Sequence, residues 1–275
     1  MNISKLPSSA FVKITQKRSR KLSGIFEKLS TGLRINRASD DAAGLGVSEA
    51  LRSQIRGFGA ARNNTAMASS SLNISEGTGN EVHSMLQRQR ELAIQASNGT
   101  MNQQQRDALN TEYQNLNEEI TRIAETSNFN GQPNADGSAP LADGSGRVAV
   151  GANGESVNLE GADFTADALG ITGTDISSSA GAAAAVGAID SAISSVSSGR
   201  TSQGAQINML EHTYNNLLTS EARTQEAESA IRDLDFAEGV AEQTRQSILQ
   251  QTNIQAMKNF RNISRNNMLK LLGGS

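Results

Sequence analysis

Apolar residues recur along most of this chain at spacings of three and four, as they do in helices that bury one thin stripe. Leu109, Tyr113, Leu116, Ile120 and Ile123 follow steps of four, three, four and three, the 3.5-residue period of a coiled-coil seam. Asn102, with Gln105 three positions on, fits a capping box, so a helix from Asn102 to about Ser127 is predicted. Upstream, residues 39–98 hold helix formers and no proline. Ser39 suits the N-cap, Asp40 and Asp41 favour the positive end of the helix dipole, and Asn98-Gly99 is a plausible stop with glycine in the left-handed position. Roughly 60 residues at about 1.5 Å each would make a rod of ~90 Å. Ala60, Ala61, Ala66, Ala68, Ser69, Ser70 and Ser71 crowd its middle, where they allow a neighbouring helix to come close.

Helical patterning resumes near Ala182. Ile189, Ile193, Val196, Ile207, Leu210, Tyr214 and Leu217 share one 3.5-residue register, interrupted by Arg200 and Gln203. A last helical stretch runs from about Phe236 to Leu272. Between the helical parts the composition changes at Asn128-Phe129-Asn130-Gly131, with Pro133, Pro140 and many Gly, Asn, Asp and Ser residues after it. Arg147–Val150 and Ser156–Leu159 flank the turn Gly151-Ala152-Asn153-Gly154-Glu155, which predicts a β-hairpin. The fold class that follows is mainly α, with long antiparallel helical arms from the N- and C-terminal parts forming a coiled-coil-like rod and a small β-hairpin region between them.

Composition narrows the chemistry. Aromatic content is 3% with no Trp, so the core must be built from Leu, Ile, Val and Ala along thin seams. The net charge of −3 exerts no global pull towards nucleic acid or anionic membrane, and zero cysteine excludes disulfides and thiolate metal sites. No unbroken apolar run reaches the length of a membrane span, and residues 1–24 are basic without the apolar centre of a secretory signal. If the protein leaves the cell, it needs another export machine.

Two strings point to a family. Leu29 to Phe58, LSTGLRINRASDDAAGLGVSEALRSQIRGF, closely resembles the N-terminal block of bacterial flagellins. Ser229 to Ala237, SAIRDLDFA, followed by Gln246 to Gln251, QSILQQ, looks like the matching C-terminal block, and VGANGESVNLE resembles the hairpin between the two arms. The resemblance is dense from about Ile25 to Gly131 and from about Arg147 to Gln251. At the tips the chain departs from it: Met1-Asn2-Ile3-Ser4-Lys5-Leu6-Pro7 and a basic stretch stand where flagellins usually carry an Asn- and Ala-rich pattern, and Asn259 to Ser275 also differs before Leu269 to Leu272.

The resemblance implies a structural subunit that self-assembles into the flagellar filament, extracellular, without enzymatic activity or cofactor. It implies export by the flagellar type III apparatus without a cleavable signal, and an export chaperone, the filament cap and hook-associated proteins as partners. It divides the chain into residues 1–38 and 236–275 as the two parts of an inner assembly domain, 39–131 and 181–235 as the arms of a rod domain, and 132–180 as the short hairpin region. The large outer domains of some flagellins are missing. The polar tips, with scattered Ile14, Leu22, Ile25, Phe26, Ile248, Leu249, Ile254, Met257 and Phe260, are expected to stay loose until neighbouring subunits surround them. A hook–filament junction protein and a secreted flagellin-like adhesin or effector are the alternatives.

Candidate sites are few. His83 and His212 have no metal-ligand spacing, and no H-E-x-x-H string occurs. The basic cluster Lys13 to Lys21 lacks interleaved aromatic residues and reads as a solvated helix face, not a nucleic-acid site. Gly44-Leu45-Gly46 follows no strand and lacks the rest of a phosphate-binding pattern. Leu86 to Gln95, LQRQRELAIQ, resembles the segment through which the Toll-like flagellin receptor of animals recognises flagellins. Position by position, this implies Arg88 and Leu92, four apart on one helix, and Glu112 on the next, counted back from Phe129-Asn130-Gly131. Packing against neighbouring subunits is the other reading of that face.

Overall fold

The computed structural model describes residues 6–138 and 146–272. Pro140 and residues 1–5 of the atypical N-terminal pattern lie outside the described residues. The elements run α1 (Leu6–Thr31), α2 (Ala42–Ser97), α3 (Gln103–Thr126), β1 (Asn128–Phe129), β2 (Gln132–Pro133), β3 (Arg147–Ala149), β4 (Ser156–Asn158), α4 (Ser179–Arg232) and α5 (Phe236–Leu272). Backbone contacts divide them into one unit made of Met1–Ser53 with Thr224–Ser275 and a second made of Gln54–Arg223. The boundaries fall inside α2 and α4, so the first unit draws on both ends of the chain and the second is one continuous stretch.

In the unit Gln54–Arg223 the buried face of α2 is Ala61, Thr65, Ala68, Leu72, Ser75, Gly79, Val82, Leu86, Gln89, Ala93 and Ala96, an unbroken alternation of four and three. This seam is longer than any the apolar residues alone reveal, because Thr, Ser, Gly and Gln occupy several of its positions. Pairs across it fix an antiparallel register with α4: Arg62 with Glu221 at 3.2 Å, Gln203 Nε2 donating to Ser75 Oγ at 2.7 Å, Arg200 with Glu76 at 2.7 Å, and Arg90 with Asp190 at 2.7 Å. Arg200 and Gln203, the interruptions in the α4 pattern, are therefore cross-helix partners. Helix α3 returns antiparallel along α2, as Gln89 Nε2 donates to Asn117 Oδ1 at 2.8 Å and Arg106 Nε to the Ala96 carbonyl at 2.9 Å.

Small seam residues leave space that helices alone do not fill. The segment between β4 and α4 fills it: Phe164, Ala166, Leu169, Ile171 and Ile176 are buried with Val82, Leu86, Tyr113, Ile120, Ile189 and Val196 in the main core. A Cβ on Gly79 or Gly199 would lie 3.0 or 3.2 Å from the Phe164 ring, so these two glycines make room for it. A stretch that reads as glycine-rich loop is thus part of the core. A second cluster, Ala68, Leu72, Leu159 and Leu210, is capped by Val148 and Val157 of the predicted hairpin, whose register pairs Val148 with Val157. Gly57 lets the hairpin turn approach, since a Cβ there would come 2.9 Å from the Ala152 backbone.

A layer of buried polar groups also lies in this unit. Ser75 Oγ donates to the Asn134 carbonyl at 2.9 Å, Asn134 Nδ2 to the Ser71 carbonyl at 3.0 Å, and Thr78 Oγ1 to Ser127 Oγ at 2.8 Å. The turn that presents Asn134 is a second hairpin, β1–β2, with Asn130 and Gly131 both at positive φ (54° and 75°), the Asn-Gly turn that matches strand twist. By length and apolar composition alone α4 could cross a membrane, owing to its alanine-rich opening. Its Ala182, Ala185, Ile189, Ala192 and Val196 are buried in the helix pack instead.

Several helix ends differ from expectation. The capping box of α3 forms as predicted, with Asn102 accepting from the Gln105 amide and the Gln105 side chain from the Asn102 amide. Helix α2 is capped by Asp41 rather than Ser39: its Oδ1 accepts from the Gly44 amide at 2.9 Å, and a Cβ on Gly44 would strike that carboxylate. Gly99 is not among the glycines at positive φ; the Asn98 side chain closes the turn by accepting from the Thr100 amide at 3.1 Å. On α3 the buried stripe is Tyr113, Asn117, Ile120 and Ala124, while Leu109, Leu116 and Ile123 are only half-buried at its edge. We therefore expect Ile120→Asp to lower unfolding free energy by more than about 3 kcal/mol, and Leu116→Asp by roughly half as much. Denaturant melts check this, and an unchanged Ile120→Asp melt would contradict the assigned core face.

Candidate functional surfaces

In the unit Met1–Ser53 with Thr224–Ser275, the two strings that carried the family resemblance meet. The Arg34 amide donates to the Arg232 carbonyl at 2.6 Å and the Leu234 amide to the Gly32 carbonyl at 2.9 Å, a short antiparallel bridge between the α1–α2 and α4–α5 turns. Gly32, at φ 72°, permits the turn, and the Arg34 guanidinium donates to the Ile231 carbonyl. Asp235 caps α5 by accepting from the Ala237 and Glu238 amides at 2.8 and 3.2 Å. Asp40 accepts from the Asn36 and Arg37 amides, both at 3.1 Å. Burial pushes the Asp40 carboxyl up, but those two amides and the charges of Lys28 and Arg37 outweigh it and hold the group below its usual value.

Helices α1 and α5 pair antiparallel. Lys21 reaches Glu242 at 2.9 Å and the Arg18 guanidinium donates to the Leu249 carbonyl. The Lys21 hydrogen bond, helped by Gln246, holds the Glu242 carboxyl below its usual range. The pair buries little. Among the described residues of this unit Ile35 is the one buried hydrophobic side chain, whereas Gln54–Arg223 holds all the others. Val12, Ile14, Phe26, Val47, Phe236, Val240, Ile248, Ile254, Phe260 and Ile263 are instead 36–59% exposed. Such a surface has the apolar content of an interface and no core of its own.

The candidate receptor residues lie in the other unit. Arg88 donates through Nη2 and Nε to Glu112 at 2.7 and 3.0 Å and through Nη1 to Glu91 at 3.0 Å, and those hydrogen bonds raise its already high pKa. The fold thus brings Arg88 and Glu112 together as an exposed ion pair across α2 and α3. Leu92, four residues on along α2, is fully buried in the core. Glu91, the second carboxylate on Arg88, was not singled out from the sequence; its three-residue spacing from Arg88 is the signal that could have found it. His83 lies 2.9 Å from Gln87 on α2, and His212 is exposed on α4. Among the described residues no three His, Asp or Glu side chains form a metal-binding group.

The bacterial flagellin N-terminal helical region matches residues 4–139, and the bacterial flagellin C-terminal helical region matches residues 186–272. Flagellin of Halalkalibacterium halodurans is 45% identical over 231 residues, which cover 84% of each chain. Flagellin of Bacillus subtilis is 39% identical over 279 residues, covering 90% of this chain and 91% of that one. This chain belongs to the bacterial flagellin family.

The crystal structure of Bacillus cereus flagellin aligns with a TM-score of 0.50 at 32% identity, over 56% of this chain and 88% of that one. A putative flagellar hook-associated protein from Vibrio parahaemolyticus aligns with a TM-score of 0.58 at 18% identity, over 70% and 100%, a likeness of fold alone. As a flagellin the chain is a structural subunit of the flagellar filament, and it lacks large outer domains: two small hairpins and a core-filling segment occupy the span between its arms. Flagellin homologues form the extracellular filament.

The bridge between the two flagellin blocks has a pH signature. The folded value of Asp40 lies below its unfolded one, so its contribution is complete above the unfolded pKa and vanishes as pH falls through the folded one. Amide exchange at Asn36 and Arg37 is expected to accelerate on acidification below the ordinary carboxylate range, and Asp40→Asn should remove that dependence. Exchange rates independent of pH-driven protonation, after correction for intrinsic chemistry, would refute the assignment.

Proposed function

We propose that this flagellin polymerises by burying the apolar surface that α1 and α5 leave open, with residues 1–38 and 236–275 as the two parts of the inner assembly domain. The observation that carries this is the contrast between one buried and ten exposed large apolar side chains in the unit that holds both termini. Each half-exposed Val, Ile or Phe can contribute roughly 1 kcal/mol when a neighbour covers it. Summed over a subunit this is comparable to the stability of a domain. Residues 39–131 and 181–235 serve as the arms and 132–180 as the hairpin region. Isolated, such thin-striped helices are marginal, and the tips order fully as subunits surround them.

The subunit is exported unfolded by the flagellar type III apparatus and meets an export chaperone, the filament cap and hook-associated proteins. The family membership supports these partners. Deleting residues 1–30 or 245–275 is expected to abolish filaments seen by electron microscopy while circular dichroism still reports a helical Gln54–Arg223 unit. Normal filaments from both truncated chains would overturn the assembly role. Short caps or joints in place of long filaments from the intact chain would favour the hook–filament junction reading, and adhesion without any polymer an adhesin.

Arg88 and Glu112 form a second surface, through which free subunits are recognised by the Toll-like flagellin receptor of animals, while Leu92, the third residue the resemblance implied, is buried in the core. The paired, exposed Arg88 and Glu112 favour it: they offer a charge of each sign in fixed geometry. Arg88→Ala with Glu112→Ala should lower receptor activation by free subunits at least about tenfold without changing the melt. Leu92→Ala should act indirectly, destabilising the helix pack by about 2–4 kcal/mol. Full signalling by the folded double variant would show that the patch is not the recognition site.

A further inference from the structure

The chain's modest net charge hides a strong separation. Met1–Ser53 with Thr224–Ser275 carries sixteen basic and ten acidic residues, hence +6, whereas Gln54–Arg223 carries nine and eighteen, hence −9. Within the positive unit the separation sharpens. Residues 1–26 and 243–275 contain eleven Lys and Arg and no Asp or Glu. Among them Lys21 and Arg245 reach Glu242 and Arg18 reaches a carbonyl. Lys13, Lys17, Arg20, Lys258, Arg261 and Arg265 are exposed and have no polar partner among the described residues.

Their placement is ordered. Lys13, Lys17 and Arg20 follow steps of four and three on α1, and Ile254, Lys258, Arg261 and Arg265 follow steps of four, three and four on α5, so each set shares a helix face. Exposed aliphatic side chains stand beside them: Val12 and Ile14 flank Lys13, and Ile254 and Ile263 lie among the α5 cations, at 37–59% exposure. Lys and Arg beside exposed apolar side chains supply two attractions to an anionic bilayer surface, one for its headgroup charge and one for its apolar boundary.

We propose that α1 and α5 of the unassembled subunit dock on anionic phospholipid surfaces, which order these tips as neighbouring subunits do in the filament. Charge complementarity selects this occupant. A second copy would cover the aliphatic residues but bring eleven further cations and no carboxylate from these segments. An anionic bilayer supplies the counter-charge and an apolar phase at one surface. Nucleic acid would answer the charge only: single-strand binding draws on several stacked rings, whereas Phe260 is the one exposed aromatic side chain beside these cations among the described residues, and the others are aliphatic. The same helices carry the proposed polymerisation, so docking belongs to the free subunit and competes with assembly.

Full-length monomer is mixed with vesicles of phosphatidylcholine alone, or with an equal share of phosphatidylglycerol, and sedimented. Retention is expected on the anionic vesicles only, with loss at about 1 M salt, where screening shortens to roughly 3 Å. K13E/K17E/R20E and, independently, K258E/R261E/R265E should each weaken binding on the order of a hundredfold. Circular dichroism confirms that helicity is kept, and the second variant guards against misfolding of the first. Filament growth by the same variants is followed separately, so failure of docking and failure of the assembly reading are distinguishable. Equal retention on neutral vesicles, or undiminished binding by both folded variants, overturns the proposal. Binding to duplex DNA but not to anionic vesicles, abolished by the same substitutions, replaces the lipid with nucleic acid and equally overturns it.

Discussion

The close antiparallel contact of α2 with α4 is the constraint from which much else in the Gln54–Arg223 unit follows. Ala61, Ala68, Ser75, Gly79, Ala93 and Ala96 give α2 a seam with little side-chain volume, so α4 can approach. Dense packing does not tolerate the gaps that small residues leave. Phe164, Leu169, Ile171 and Ile176 from the connecting segment, and Val148 and Val157 from the hairpin, close them. Gly79 and Gly199 beside Phe164, and Gly57 beside Ala152, are needed because backbone or ring occupies the volume a Cβ would take.

Polar groups in that seam set which residues face each other. Leu and Ala side chains slide past one another at small cost, whereas a buried Ser, Asn or Gln loses its hydrogen bonds if the register slips. Ser75, Asn134 and Gln203 form such a set, with Arg90–Asp190, Arg200–Glu76 and Arg62–Glu221 repeating the constraint nearer the surface. The exposed pairs contribute little stability individually. Their consistency of register is what matters for a helix pair that must present a reproducible surface to identical neighbours.

The other unit is built on the opposite principle. Its defined contacts are backbone bridges and caps around Gly32, Arg34, Asp40, Leu234 and Asp235, which fix where four helices begin and end. Little apolar surface is buried there, and the exposed Val, Ile and Phe side chains together with unpaired cations leave it dependent on contacts with other molecules. A filament subunit has reason to be built this way: a saturated terminal pair would have nothing left to give its neighbours.

Much of this was legible in the sequence. Periodicity located α3 and α4, the Asn102–Gln105 box was readable from two residues, and the hairpin from a glycine-rich turn between two valine-bearing runs, because each depends on contacts within a few residues. The flagellin blocks were legible as strings, and the structure supplies a reason for them: they form one bridge from opposite ends of the chain. Of the candidate receptor patch, sequence gave the identities of Arg88, Leu92 and Glu112, but it could not show that the charges pair with each other while Leu92 is buried in the core. Ser39 and Asp41 are equally good caps by type, and only the path of the turn chose Asp41. Likewise 3.5-residue spacing placed Leu116 on the α3 seam, yet Asn117, which accepts from Gln89 of α2, and Ala124 are buried there instead. Local chemistry determined the elements; which face was buried, which loop became core and which charges went unpaired were decided by long-range packing, since those depend on neighbours tens of residues away.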